Sequence, residues 1–247
     1  MAGTEKSEKI KKLEEYNTPS VTNVVATYPG HPLCLSLYHP WNGNWYTDKS
    51  LHCIYPDLGP RAGYAVTCVF GLPDPDYTAL SFADVADALE DSPKPSILVI
   101  EQRFPPEISG KVGLSGGNMT TAMKSLGCLG CISNGPSRDI DEIRPMQIQY
   151  LLSGVCAGHG PMAIHAVNVP VSVAGMDVSS GEIIHMDENG ACKFPSDKLE
   201  QVLENLEAMA NEEDERMDAL AKANSSSEIR QILEGHSYGG DSREDTH

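Results

Sequence analysis

The sequence predicts an α/β fold, and three observations carry that prediction. Short β-branched or aromatic runs alternate with stretches of helical periodicity, the pattern of strands wrapped by crossover helices. The composition, 40% hydrophobic and 21% charged with 22 glycines, is that of a soluble α/β protein rather than a coiled coil or a disordered chain. The length, 247 residues, suits one substantial core with extra helical segments at its ends.

Taken in order, residues 1–17 are a charged lead with helical character over 4–16, and Thr18 and Ser20 are both suitable caps for a second short helix. Tyr28 to Pro60 is rich in Pro, Gly, Trp, Tyr and His, with turn signals at PG, NG and GP, and predicts loops with short strands. AGYAVTCVFGL predicts a buried strand, FADVADALEDS an amphipathic helix and SILVIEQ a second buried strand. SGGNMTTAMKSLG places Met119, Ala122, Met123 and Leu126 at helical spacing, and the strand CLGCIS and the loop NGPSRD follow. A short helix, DIDEIRPM, is ended by Pro145. QYLLSGV and NVPVSVAGMDV continue the strands, and GEIIHMDENGACKFP predicts a hairpin turning at Asn189 and Gly190. From Ser196 onward, Leu199, Val202, Leu203, Leu206, Met209 and Ala210 mark one face of a long helix. Ser225 and Glu228 then form a capping box for SEIRQILE. The expected organisation is a charged lead (1–17), an α/β domain (18–195), a C-terminal helical arm (196–235) and a disordered tail (236–247) without apolar pattern.

A net charge of −17 leaves little basic surface to neutralise phosphates, so nucleic acid and anionic membranes are not expected as partners. No run approaches the roughly 18 apolar residues of a membrane span, and the opening MAGTEKSEKIKKLEE lacks the apolar core of a signal peptide, so the expectation is a cytoplasmic chain. The seven cysteines are an odd number scattered through apolar runs, which suits reduced, buried thiols.

Gly116 to Glu142 is the stretch that carries chemistry. Two glycines precede a helix whose first backbone amides, around Asn118 and Met119, make a seat for an anion. After one helix and one strand the chain returns to Arg138, a planar fork for a carboxylate, and Asp139, a hard oxygen ligand for Mg²⁺ or Mn²⁺. A small 2-oxo acid needs both, because its carboxylate and keto oxygen can chelate a Lewis-acidic ion that stabilises the enolate left when a bond at C3 breaks. Retro-aldol cleavage and β-decarboxylation share that enolate.

These residues resemble the family of 4-hydroxy-4-methyl-2-oxoglutarate aldolases and the related ribonuclease activity regulator RraA proteins. The family's glycine turn, an Arg–Asp pair roughly twenty residues on and a further acid match Gly116, Gly117, Arg138, Asp139 and Glu142, and RAGYAVT, NVPVSVAGMDVSSGEII and MDENGACKFP are similar in the same order. The resemblance implies a swivelling three-layer β/β/α core with a C-terminal helical arm, assembled as a homotrimer or dimer of trimers. It implies a metal-dependent lyase in which Arg138 and the amides at Gly116, Gly117, Asn118 and Met119 bind the substrate carboxylate. Asp139 would ligate Mg²⁺ (or Mn²⁺), and Glu213, or its neighbour Glu212, would be the acid brought by the adjacent subunit. It leaves open another metal–enolate reaction, by a hydrolase or isomerase of a diketo or sugar-derived acid, and a noncatalytic regulator. Two positions depart from the family: Gly117 stands where the aldolases carry an acid, and Asn23 where an aspartate is common.

Other features have simpler readings. Cys128 and Cys131 form a single CxxC inside an apolar strand and are expected to pack. His159 and His165 lie near where a substrate would sit, where a histidine can carry a proton, but structural histidines are the favoured reading; the acid-rich run Glu212 to Glu215 reads as a solvated helix face, and Trp41, Trp45 and Tyr46 suit a structural loop as well as a pocket roof.

Overall fold

The computed structural model describes residues 2–77 and 79–234, so the tail expected from residue 236 lies outside the described residues. The chain forms two compact units, each built from two separate stretches: residues up to Thr18 with Asn44–Leu199, and Pro19–Gly43 with the chain from Glu200 onward.

In the first unit α1 (Ala2–Leu13) buries Ile10 and Leu13. The second short helix, α2 (Thr18–Thr22), begins where the unit leaves off. After β1 (His52–Cys53) the long, almost wholly buried β2 (Arg61–Gly71) enters the sheet. A crossover through α3 (Phe82–Asp91) reaches β3 (Ser96–Arg103). Then α4 (Pro106–Ser109) and α5 (Gly117–Ser125) lead to β4 (Cys128–Ser133), and α6 (Ile140–Ile143) to β5 (Gln149–Leu152). β2, β3, β4 and β5 are parallel neighbours, with β1 antiparallel on the far edge of β5. The free side of β2 is shared by two antiparallel strands. β6 (Ala163–Val167) pairs with Cys68–Gly71, and β9 (Ile183–Asp187) pairs with Arg61–Tyr64. Between them in sequence, β7 (Val171–Val173) and β8 (Met176–Val178) form a separate ribbon, and β10 (Gly190–Phe194) closes the main sheet beside β9.

The period-2 alternation of β2 and β3 divides the core into two faces. Val66, Cys68 and Phe70, with Leu98 and Ile100, join Val85, Leu89, Met123 and Ile143 on the helix side. Ala65 and Val69, with Ile97 and Val99, join Val171, Val173, Met176 and Val178 of the β7–β8 ribbon on the other. Helices, main sheet and ribbon are therefore three layers, the β/β/α arrangement expected.

Some local expectations are corrected. NVPVSVAGMDV is a tight hairpin, because Ala174 (φ 49°) and Gly175 (φ 80°) both take the left-handed conformation of a two-residue turn. AIHAV, which carried no strand assignment, is β6. The β9–β10 turn uses Glu188 and Asn189, since Gly190 already pairs with Asp187. The capping box at α8 (Ser226–Glu234) is half as expected: Ser225 Oγ accepts the Glu228 amide at 3.2 Å, but the Glu228 carboxylate takes the amide of Asn224 at 2.7 Å. A full capping box instead joins Ser81 and Asp84 at α3.

A buried histidine ties α1 to the sheet. His185 Nε2 donates to the Leu13 carbonyl at 3.1 Å, leaving Nδ1 to accept from the Thr18 hydroxyl at 2.9 Å. Burial holds this ring below its ordinary pKa of 6.5, so it is neutral in the folded protein. The unfolded chain takes up a proton on this ring below about pH 6.5 while the folded chain resists it, so this stabilisation is intact above that pH and declines as pH falls through the lower folded value. Melting curves of wild type and His185→Gln from pH 8 to pH 5 are expected to differ most above about pH 6.5 and to converge below it. A gap that widens on acidification would contradict a neutral His185.

In the second unit, α7 (Leu199–Lys222) continues past Leu199 and buries Val202, Leu203, Leu206 and Met209. The 19–43 stretch is held to it by Asn205 Nδ2 donating to the Leu33 carbonyl (2.8 Å), Asn23 Nδ2 donating to Glu213 Oε1 (3.2 Å) and a His31–Glu212 contact (3.3 Å). No helix among the described residues is long and apolar enough to cross a membrane.

Candidate active site

Parallel α/β sheets present ligands beyond the carboxyl ends of their strands, where the crossover loops gather. Here the loops after β3, β4 and β5 are stitched together by their own backbones. Leu114 donates to Pro136 O (3.0 Å), Arg138 to Ser115 O (3.1 Å), Gly113 to Gly158 O (2.9 Å) and Cys156 to Ser137 O (2.9 Å). The fully buried Ser137 hydroxyl donates to Ser115 O at 2.7 Å, locking the residue before Arg138 against the residue before the glycine turn. Thr120 Oγ1 donates to Gly116 O (2.8 Å) and so accepts from Tyr150 Oη at 2.6 Å, fixing the first turn of α5 to the core.

The loops enclose a cleft of about 330 Å³ in the first unit. Gly116, Gly117, Asn118, Met119, Arg138 and Asp139, each expected from sequence to bind substrate or metal, all line it, with Glu142 and His159. Glu213 belongs to the second unit and lines no part of this cleft within the chain.

Asp139 occupies the left-handed region (φ 59°, ψ 35°), an uncommon conformation that aspartate tolerates and that often marks a working residue. Its carboxylate faces back onto α5. Oδ2 accepts the Gly117 amide at 3.2 Å and Oδ1 accepts from Arg138 Nε at 3.1 Å. The N-cap position, Gly116, has no side chain to offer, so Asp139 caps the helix from across the cleft. The Gly117 amide, aided by the Arg138 guanidinium, holds the Asp139 carboxyl below the usual carboxylate range, so it is charged at neutral pH. The Arg138 terminal nitrogens make no hydrogen bond among the described residues, and its side chain is about one-third exposed.

The glycines make room for carboxylates. A Cβ on Gly116 would lie 2.4 Å from Asp139 Oδ2, and one on Gly117 would lie 2.5 Å from Glu142 Oε2. Glu142 thus projects into the space a side chain at 117 would need. The sequence pattern included Glu142 without giving it a role; its spacing, three residues past Asp139, was the available signal.

The two histidines separate. His165 packs against Gly71 and binds the Leu72 carbonyl at 2.8 Å, as a structural histidine would. His159 lines the cleft, and its Nδ1 donates to the Gly160 carbonyl at 2.9 Å, leaving Nε2 as the other ring nitrogen. Trp45 is buried edge-on to Tyr46 and Trp41 is 82% exposed, and neither lines the cleft. Cys128 and Cys131 are buried, and burial pushes the Cys128 thiol up to about 11, which suits packing rather than thiolate chemistry.

Among the described residues no three His, Cys, Asp or Glu side chains converge as a ready cation cluster. The charged Asp139 with Glu142 close by still fits Mg²⁺, which keeps much of its water and takes only one or two carboxylates from a protein.

A family model described as RraA-like (Aldolase/RraA) matches residues 40–192, which include the whole cleft. The chain belongs to the RraA-like family. It is 25% identical over 162 residues to the protein DlpA of Legionella pneumophila, a match covering 64% of this chain and 25% of that one. It is 29% identical over 151 residues to a putative 4-hydroxy-4-methyl-2-oxoglutarate aldolase 3 of Arabidopsis thaliana, covering 58% of this chain and 81% of the plant protein. The RraA-like fold is shared with Streptomyces coelicolor RraAS2, described as an unusual member of the RNase ES inhibitor RraA family (TM-score 0.62, 19% identity, 85% and 95% of the two chains). The chain thus spans a quarter of DlpA and most of the other two.

Proposed function

We propose that this RraA-like protein is a divalent-metal-dependent lyase acting on a 2-oxo acid, cleaving a 4-hydroxy-2-oxo acid by retro-aldol chemistry, decarboxylating oxaloacetate, or both. The observation that carries the reading is the meeting, in one cleft, of an Arg138 fork with open terminal nitrogens, the α5 amides at Asn118 and Met119, and a charged Asp139. Arg138 and the amides hold the carboxylate of the pyruvoyl part. Asp139, with Glu142 beside it, would hold Mg²⁺ or Mn²⁺. When bound, the ion supplies Lewis-acid stabilisation of the charge that develops on the keto oxygen. His159 Nε2 and the Glu142 carboxylate are the cleft groups able to take the proton of the 4-hydroxyl, whereas the aldolases carry at the position of Gly117 an acid that helps polarise the metal-bound water.

The likeness to the plant aldolase supports the reading at the level of the family. The proposal includes a cytoplasmic homotrimer or dimer of trimers, with Glu213 of a neighbouring copy as the further acid. Gly117 favours one second reading, a noncatalytic RraA-type binding protein. The test is pyruvate release from oxaloacetate and from a panel of 4-hydroxy-2-oxo acids, with Mg²⁺ or with chelator. The lyase reading expects metal-dependent release that Arg138→Ala abolishes. No release from any of them would move the assignment to another metal–enolate reaction if a 2-oxo acid still binds with Mg²⁺, and to a regulator if it does not.

A further inference from the structure

Resting on that reading, we infer that two buried tyrosines are positioning residues that divide the site between them. Tyr55 sets Asp139 and Glu142, the carboxylates that would hold the metal, and Tyr150 sets the anion seat at the start of α5. Both rings belong to the helix-side core, with centroids 6.2 Å apart. A ring without a hydroxyl would fill the same space, and a phenol loses water on burial, so each hydroxyl needs a partner to offset its cost. The partners are both parts of the cleft's framework. Tyr55 Oη donates to the Ile140 carbonyl at 2.7 Å, and Tyr150 Oη donates to Thr120 Oγ1 at 2.6 Å. Burial raises the Tyr55 phenol to about 12 and raises Tyr150 as well, so both are protonated donors at neutral pH.

Ile140 directly follows Asp139 and opens α6, whose third residue is Glu142. A four-residue helix has almost no stability of its own, and the left-handed backbone of Asp139 persists only where its surroundings hold it. Tyr55 is the clamp. Its backbone is fixed by Gln149, whose Nε2 donates to Tyr55 O at 2.9 Å and to Gly59 O at 3.2 Å. Its ring lies beneath the Arg144 guanidinium, 5.3 Å from the centroid, at the other end of α6. The Ile140 carbonyl also accepts the Arg144 amide, so it keeps a partner when the phenol is removed. Across the cleft, Gly116 offers no capping side chain, and the first turn of α5 is held by Thr120 Oγ1 donating to Gly116 O at 2.8 Å. Tyr150 fixes that hydroxyl from β5. The two phenols thus brace different helices, which makes their effects separable.

The experiment measures two affinities on the full chain. Mn²⁺ is followed by the paramagnetic signal of the free ion, and 2-oxopentanoate, a 2-oxo acid with no 4-hydroxyl to cleave, by calorimetry at saturating Mn²⁺. Tyr55→Phe is expected to weaken Mn²⁺ by about fivefold and 2-oxopentanoate by less than about twofold. Tyr150→Phe is expected to do the reverse, weakening 2-oxopentanoate by about fivefold with Mn²⁺ little changed. Thr120→Val should reproduce Tyr150→Phe and Thr120→Ser should retain 2-oxopentanoate binding, so the same link is tested if Tyr150→Phe does not fold. A merely structural pair would lower the melting temperature of both variants and move the two affinities together or not at all. Either result would overturn the positioning roles while leaving the 2-oxo acid reading in place. A wild-type protein that binds neither Mn²⁺ nor 2-oxopentanoate would overturn both.

Discussion

Arg138→Ala is expected to weaken binding of a 2-oxo acid by on the order of a hundredfold and to reduce lyase turnover to background, with melting temperature little changed. Arg138 is about one-third exposed, and among the described residues its only side-chain hydrogen bond is to its neighbour Asp139, so the fold does not depend on it. The ligand does, because two charge-assisted hydrogen bonds from a planar fork are lost together. Arg138→Lys should recover little, since an ammonium carries the charge without the geometry. Calorimetry with 2-oxopentanoate and pyruvate-release kinetics measure both. Binding unchanged in either variant would remove Arg138 from the site.

The second large effect is expected at Gly116. An alanine there would set its Cβ 2.4 Å from Asp139 Oδ2, with Asp139 Cγ at 3.4 Å and Arg138 Cγ at 3.5 Å. Aspartate is short, so its carboxylate must turn off the α5 amide and away from Arg138 Nε. Gly117→Ala also meets an acid, but there the clash is with the far end of Glu142, whose Cδ is 3.6 Å away and whose longer side chain can swing aside. Mn²⁺ affinity, followed by the paramagnetic signal of the free ion, is therefore expected to fall by roughly tenfold or more in Gly116→Ala and by clearly less in Gly117→Ala. The opposite ranking would mean that Asp139 does not hold the ion.

The layer plan was legible because it depends on periodicity. The near-continuous apolar runs AGYAVTCVFGL and SILVIEQ predict strands buried on both faces, and both are central. The expected cleft residues from Gly116 to Asp139 also converge, because two consecutive crossovers in a parallel sheet return the chain to the same edge. What was not legible depends on long-range packing. Met162 reaches the cleft through a loop tied down by Gly113 and Ser137, contacts that no local pattern encodes. The β7–β8 turn needed left-handed conformations at Ala174 and Gly175, and alanine gives no hint of one. The role of Glu142 required seeing how little space lies above Gly117.

The interleaving of the two units has a consequence for how the protein is made. A ribosome releases Val21, Val24 and Val25 early, yet the α7 residues Asn205 and Glu213, which hold their stretch in place, emerge only after the whole first unit has been synthesised. For most of translation this apolar segment lacks the helix it is bonded to. The long sequence separation also makes the second unit a slow, late closure in the refolding of the finished chain.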